Sequence, residues 1–396
     1  MAVKFADRMN LLKGSEIREL LALTAKPEVI SFAGGMPAPE LFPCEGIKEA
    51  TVKVLDSIGQ TALQYTGTDG FASLREHIVK RMAAKNGINV GIENVLVTSG
   101  SQQGLDFSAR VFLNPGDVVL VESPSYLGAI NAFKACEPTF VEVPTDDAGM
   151  IPEELDKILA TTENVKMIYV IPDFQNPTGK TWTLERRQKF MELVNKYEIP
   201  VIEDNPYGEL RFEGEFLPSL KSMDTKDLVI FLGTLSKVFC PGLRIGWVCA
   251  PSEILAKYNF VKQGADLQVS SFDQMLASKF MDMYDLNEHV EKIKAVYKVR
   301  RDLMLKTMEE TFPAGVTWTK PEGGLFTWVT LPEGVDAGKI APKLLEQNVA
   351  YVPGGAFYPY PGKENHFRLN YSNATEENLV EGIKRIGAVL TAELSK

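Results

Sequence analysis

The chain has 396 residues, 45% of them hydrophobic, enough to bury a large core in about two to three domains or in one large domain with a smaller partner. Its 42 Lys and Arg against 52 Asp and Glu leave a formal charge of -10, which repels phosphate backbones and argues against nucleic acid as a partner. Four cysteines (Cys44, Cys136, Cys240, Cys249) without a CxxC pair, and three histidines (His77, His289, His366) off metal-ligand spacing, predict free thiols and no metal site.

The opening MAVKFADRMNLLKG has no charged start followed by an apolar stretch and a cleavage site. No apolar run approaches membrane-spanning length, so a cytoplasmic chain without membrane contact is expected. The first forty or so residues, including the SFAGGMPAPELFP run at 31–43, predict an extended arm rather than a packed layer. From about Val95 to Ala250 short Val- and Ile-rich runs alternate with longer amphipathic segments, the pattern of helices covering a largely parallel sheet. The strands fall at Val95–Thr98, Val118–Glu122, Thr139–Val143, Met167–Ile171, Val201–Glu203, Val229–Leu232 and Ile245–Cys249. Between them, Gln102–Leu113 and Leu184–Tyr197 carry apolar residues three or four apart and are bounded by Pro or Gly, which predicts helices. After Asp285 a long Lys-, Arg- and Glu-rich helical stretch leads to strand-like pieces at Gly324–Val329 and His366–Tyr371. The organisation this predicts is an arm and lid segment at 1–45 that contributes to the small domain, a large domain at 46–285 and a small domain at 286–396.

Ligands of parallel α/β sheets bind beyond the carboxyl ends of the strands, which singles out five places. Thr98-Ser-Gly-Ser-Gln-Gln-Gly104 ends a strand in small residues and opens a helix whose free N–H groups suit a phosphate, although a plain N-cap with a glycine turn reads the same way. Tyr126, in SPSYLG, is either a ring that stacks on a flat heterocycle or a core tyrosine. Asn176, in Asn-Pro-Thr-Gly179, is an amide in a proline-stiffened turn and is able to donate to a phenolic oxygen. Glu203-Asp-Asn-Pro-Tyr207 brings an acid, Asp204, to a strand end, placed to pair with a ring nitrogen. In Thr234-Leu-Ser-Lys237, followed by Pro241-Gly-Leu-Arg-Ile-Gly246, a lysine sits among hydroxyls between the apolar runs VIFLGT and LRIGWVCA. Burial and a nearby cation lower a lysine's pKa and expose a nucleophilic amine. The half P-loop at Thr178-Gly-Lys-Thr181 has Phe174 where that motif needs glycine, which rejects nucleoside triphosphate binding.

Taken in order, these motifs form a highly specific set. From about residue 15 to the end the chain resembles the fold-type I aminotransferases that use pyridoxal 5'-phosphate (PLP), most closely the broad-specificity 2-aminoadipate and kynurenine subgroup. The resemblance implies an α/β fold, with a large PLP-binding domain built on a mainly parallel seven-stranded sheet sandwiched by helices and a smaller α+β domain. It implies that Lys237 holds PLP covalently, Asp204 pairs with the ring nitrogen, Asn176 and Tyr207 contact the ring hydroxyl, and Tyr126 stacks on the ring. Ser101, Gln102, Ser236 and Arg244 would hold the phosphate together with Thr234, a threonine where relatives often carry serine. Arg368, in FRLNYS, matches the arginine that binds the substrate α-carboxylate, with Asn176 beside the substrate; Arg18 and Gly35 match a mobile segment that closes over it. Tyr65 matches a tyrosine that reaches the partner subunit's phosphate, so a homodimer with shared active sites is implied.

The implied reaction is ping-pong transfer of an amino group from an L-amino acid to a 2-oxo acid, with 2-oxoglutarate as one acceptor and 2-aminoadipate, aromatic or branched-chain donors. A lyase or decarboxylase on the same cofactor is the nearest alternative. A PLP-sensing transcription regulator is another; it would need a DNA-binding domain ahead of Met1, where none is expected.

Overall fold

Runs such as Val-Ile-Phe-Leu-Gly-Thr at 229–234 have no polar face, and a strand of that kind is stable only where helices cover the sheet on both sides. That is its setting in the computed structural model, which describes residues 3–11 and 28–395. After β1 (Ile30–Ser31) come β2 (Val95–Ser99), β3 (Val118–Ser123), β4 (Thr139–Asp146), β5 (Gly149–Met150), β6 (Val165–Val170), β7 (Val201–Asp204), β8 (Val229–Thr234) and β9 (Ile245–Cys249). Strands β2 to β9 form one sheet in the order β2-β9-β8-β7-β6-β3-β4-β5. All seven predicted strands are in it. The count is corrected to eight by β5: β4 runs on to Asp146, whose carboxylate accepts the Ala148 N–H at 2.8 Å, and the chain turns there to pair Thr145 with Met150.

Strands β4, β3, β6, β7 and β8 pair in parallel, and β9 runs antiparallel between β8 and β2. The carboxyl ends of β2, β3, β6, β7 and β8 therefore share one edge, and the amino end of β9 joins them. Side chains alternate across the sheet. Val119, Val121, Met167, Tyr169 and Ile202 pack with the helices Ser101–Phe112, Leu127–Lys134 and Ser252–Ala265. Leu120, Ile168, Val170 and Val201 pack on the opposite side with Pro152–Thr161 and Leu184–Tyr197.

Helix Leu286–Thr311, capped by Asp285, opens the C-terminal part. There β10 (Thr317–Trp318), β11 (Phe326–Thr330), β12 (Val349–Ala350), β13 (Val352–Pro353) and β14 (His366–Asn370) follow. Four of them make an antiparallel sheet, β10-β11-β14-β13, while β12 pairs in parallel with β1.

The N-terminal segment is of two kinds. Residues 3–11 are exposed, with one 3-10 turn at Asp7–Asn10. Residues 30–38 are packed on the C-terminal part rather than extended as a loose arm: Phe32 and Ala33 have no exposed surface, Phe32 donates its N–H to the Ala350 carbonyl at 2.8 Å and accepts the Asn370 N–H at 2.9 Å. The apolar side chains of Ile30, Phe32 and Ala38 bury themselves despite the surrounding glycine and proline.

Candidate active site

One corner of the shared edge is built for close backbone approach. Strand β2 ends at Ser99, and Gly100, with φ +70, turns the chain straight into the helix Ser101–Phe112. A Cβ on Gly100 would lie 2.6 Å from the Arg244 guanidinium, and one on Gly246 would lie 2.5 Å from the Gly100 carbonyl carbon. Arg244, just before β9, donates to the Ser99 and Pro241 carbonyls at 3.3 and 3.2 Å. At the end of β8 the Thr234 hydroxyl stands 2.9 Å from that of Ser236 and accepts the Ser236 N–H at 3.1 Å. Ser101, Thr234, Ser236 and Arg244 thus gather at a helix N-terminus, a setting that suits a phosphate. The Gln102 side chain is committed elsewhere: its amide donates to the Gly128 carbonyl at 2.9 Å and accepts from the Tyr126 hydroxyl at 3.5 Å, tying this corner to the Tyr126 loop.

Asp204 ends β7, almost wholly buried. Its Oδ2 accepts the Tyr169 hydroxyl at 3.0 Å, and Oδ1, also buried, has no partner. Burial pushes the carboxyl pKa up to about 7, against the pull of the Tyr169 hydrogen bond. Tyr169 was missed in the sequence; its only signal is a polar tip within Val-Lys-Met-Ile-Tyr-Val, on the face shared with Met167 and Ile171.

Five more of the predicted residues, Arg368, Asn176, Tyr207, Tyr126 and Lys237, make up the rest of the cluster. Arg368, on β14, donates to Asn176 Oδ1 at 2.7 Å and to the Ala33 carbonyl at 2.6 Å, while its buried Nε is unpartnered. Its guanidinium lies 4.2 Å from the Phe326 ring centroid and 5.0 Å from that of Phe357, and burial lowers its pKa to about 10. Asn176 Nδ2 donates to the Tyr207 hydroxyl at 3.4 Å. Burial pushes the phenols of Tyr207 and Tyr126 up, with Asp204 and neighbouring phenols adding to the effect, so both stay protonated. Lys237, three residues past β8, is partly buried and donates to the Gly35 carbonyl at 2.8 Å. Burial first, then the Arg368 and Arg244 charges, lower its pKa to about 8.

The loop that carries Asn176 is braced from behind. Arg187, without exposed surface, donates to both Asp173 oxygens at 3.2 and 2.6 Å and to the Pro172, Trp182 and Pro218 carbonyls. Asp173 also accepts from Asn205, the neighbour of Asp204, at 3.2 Å, so one knot holds both loops. Nothing in the spacing of these residues marked them.

Of the other predicted residues, Tyr65 is 78% exposed and away from this cluster's hydrogen bonds, and Arg18 lies outside the described residues. Among the described residues no group of three or more His, Cys, Asp or Glu is placed to hold a metal ion, and no helix is long and apolar enough to cross a membrane.

The donors and acceptors left over fit PLP. The orphaned Asp204 Oδ1 asks for an N–H, which a protonated pyridine ring has; the Ser101–Arg244 corner suits its phosphate; and the amine of Lys237, near its free-base range at neutral pH, suits an aldehyde. A family model described as aminotransferase class I and II matches residues 27–386. The aromatic-amino-acid aminotransferase 1 of Thermococcus litoralis is 46% identical, over 99% of this chain and 95% of that protein. The 2-aminoadipate transaminase of Thermus thermophilus is 41% identical, over 99% of this chain and 97% of that protein. The structure of the α-aminoadipate aminotransferase LysN from Thermus thermophilus, complexed with N-(5'-phosphopyridoxyl)-L-leucine, superposes with a TM-score of 0.92 at 39% identity, covering 99% of this chain and 98% of that one. The chain therefore belongs to the class I and II aminotransferases and is a PLP-dependent enzyme of that family, with PLP fold type I.

Proposed function

We propose that the chain moves amino groups between L-amino acids and 2-oxo acids with Lys237 as the residue that carries PLP, and that its donors include 2-aminoadipate, aromatic and branched-chain amino acids. In this reading Asp204 Oδ1 receives the ring N–H, Asn176 and Tyr207 meet the ring hydroxyl, Tyr126 lies against the ring, and Ser101, Thr234, Ser236 and Arg244 hold the phosphate, with Gln102 contributing its backbone N–H in the first turn of the helix Ser101–Phe112 while its side chain stays on Gly128 and Tyr126. The single observation that carries the reading is the buried Asp204 with one oxygen secured and the other without a partner. PLP, when bound, supplies an electron sink for charge that develops at the substrate α-carbon. The negative charge of Asp204 keeps a proton on the ring nitrogen. With PLP bound, the Lys237 amine would carry the proton between the substrate α-carbon and the cofactor carbon that gains the amino group, for which a pKa of about 8 suits it near neutral pH. The guanidinium of Arg368, held in plane by Asn176 and the Ala33 carbonyl, offers its free Nε–H to the substrate carboxylate. Gly35, whose carbonyl takes the Lys237 hydrogen bond, would lie beside the substrate, and Arg18 is assigned to substrate binding by the resemblance alone.

The names of the relatives support the donor range: one acts on aromatic amino acids, another on 2-aminoadipate, and the third is held with a leucine adduct. A panel of donors with 2-oxoglutarate and pyruvate, read by the absorbance change of the bound cofactor, tests it. Activity with only one donor class would refute broad specificity, and decarboxylated products would favour the lyase alternative.

A homodimer with shared sites completes the proposal. Val52, Leu55 and Ile58 on the helix Cys44–Ala62, followed by Leu63 and Tyr65, are exposed, as are Phe260 and Leu267, an apolar area that a second copy would cover. Tyr65 would then reach the partner's phosphate. Boundaries near 45 and 285 fit the pairing of β1 with β12 and the start of the helix Leu286–Thr311. The unpaired thiols of Cys44, Cys136, Cys240 and Cys249 support a reducing, cytoplasmic setting.

A further inference from the structure

We infer that Tyr169 is a positioning residue for this reaction: its hydroxyl occupies one oxygen of Asp204 and so leaves the other as the acceptor for the ring nitrogen of PLP. The inference rests on the reading of Asp204 given above. Four observations lead to it. Tyr169 sits on β6 and Asp204 ends β7, and the parallel register that pairs Tyr169 with Ile202 brings the phenol alongside the end of the neighbouring strand. The ring has no exposed surface and is seated edge-on against Phe133, centroids 5.5 Å apart, so its hydroxyl has little freedom to turn elsewhere. Among the described residues Asp204 takes its side-chain hydrogen bond from this hydroxyl at 3.0 Å, and its second oxygen takes none. Finally, Met167 and Ile171 fill the same face of the sheet with apolar side chains, so packing does not require a hydroxyl at 169.

A phenol has one hydrogen to give. Burial, then the charges of Asp204 and Tyr126, hold the Tyr169 phenol well above its ordinary pKa, so it remains a donor throughout the working pH range. It can satisfy only one carboxylate oxygen, and it stabilises the charged form of the acid in doing so. The other phenols coupled to Asp204, Tyr126 and Tyr207, also stay protonated. Two further buried acids, Glu122 and Glu203, have pKa values raised to about 7 and titrate in the same range as Asp204.

Tyr169→Phe keeps the ring and removes the hydrogen bond. The cofactor-free protein is titrated by infrared spectroscopy of its carboxyl groups, with the spectrum of Asp204→Asn subtracted to remove Glu122 and Glu203, and PLP affinity is measured in wild-type and Asp204→Asn backgrounds. In the phenylalanine variant the Asp204 midpoint should move upward from about 7. PLP should bind about tenfold more weakly, the size of one hydrogen bond to a charged group, and the loss should shrink to about twofold or less in the Asp204→Asn background. An unmoved midpoint, or an equal loss in both backgrounds, makes Tyr169 a packing residue and overturns the inference. If Asp204→Asn itself leaves PLP affinity unchanged, it is the assignment of Asp204 that fails.

Discussion

Replacing Arg187 by methionine keeps most of the side-chain volume and removes every hydrogen bond that Arg187 donates to the knot behind the active site. Both Asp173 oxygens would lose their guanidinium partner, at 3.2 and 2.6 Å, and the carbonyls of Pro172, Trp182 and Pro218 would lose theirs at 3.3, 3.3 and 3.0 Å. Stranding one member of a buried ion pair costs about 3–5 kcal/mol. Here Asp173 keeps the Asn205 amide at 3.2 Å and Arg211 at 3.9 Å, which places the loss near the lower end, at about 3 kcal/mol. Urea unfolding of the cofactor-free protein should show it as a lower midpoint at unchanged slope. Turnover should fall as well, because Asn176 and Asp204 lose the tie between their loops. Adding Asp173→Asn, which removes the stranded charge, should restore part of the stability. A loss below about 1 kcal/mol, the size seen for exposed ion pairs, would refute the idea that this knot sets the site.

Arg368→Leu should lower kcat/KM for donors and acceptors alike by about 100-fold, the loss of a charged hydrogen-bonding pair, and Arg368→Lys should not restore it because an ammonium lacks the planar fork. An unchanged kcat/KM would remove Arg368 from carboxylate binding. Covalent capture of PLP by the cofactor-free protein requires the free amine of Lys237, so its initial rate should rise with pH through about 8. In Arg368→Leu, with one nearby cation gone, that midpoint should move upward; a wild-type midpoint near 10.5, the value of an unperturbed lysine, would contradict the burial described. Leu55→Glu, on the exposed apolar face, should yield monomers by sedimentation and weaken PLP binding through the loss of the partner's Tyr65; a dimer of unaltered affinity would place the interface elsewhere.

The sheet was legible because fully buried parallel strands leave an unbroken apolar signature, as in VIFLGT, that few other settings produce. The strand ends were legible for a related reason: Ser101, Asn176, Asp204 and Lys237 are polar residues at or within a few residues of the carboxyl ends of such runs, the edge where parallel sheets take their ligands. The site was less legible wherever a contact crosses the chain. Lys237 meets the Gly35 carbonyl and Arg368 meets that of Ala33, 202 and 335 residues away, through backbone atoms that carry no side-chain signature. The same holds for Tyr169, whose polar tip is hidden in an apolar strand, and for the segment 30–38, whose glycines and prolines mask a pairing with β12 far along the chain. Strand β5 escaped notice because two residues leave no periodicity to read.

The most direct measurement is borohydride reduction of the PLP-loaded protein followed by peptide mass mapping. The partly buried amine on the Gly35 carbonyl, its pKa lowered by burial and by the charges of Arg368 and Arg244, predicts a single phosphopyridoxyl group on Lys237. Fully loaded protein in which Lys237 is recovered unmodified, or in which another lysine carries the group, would contradict the account.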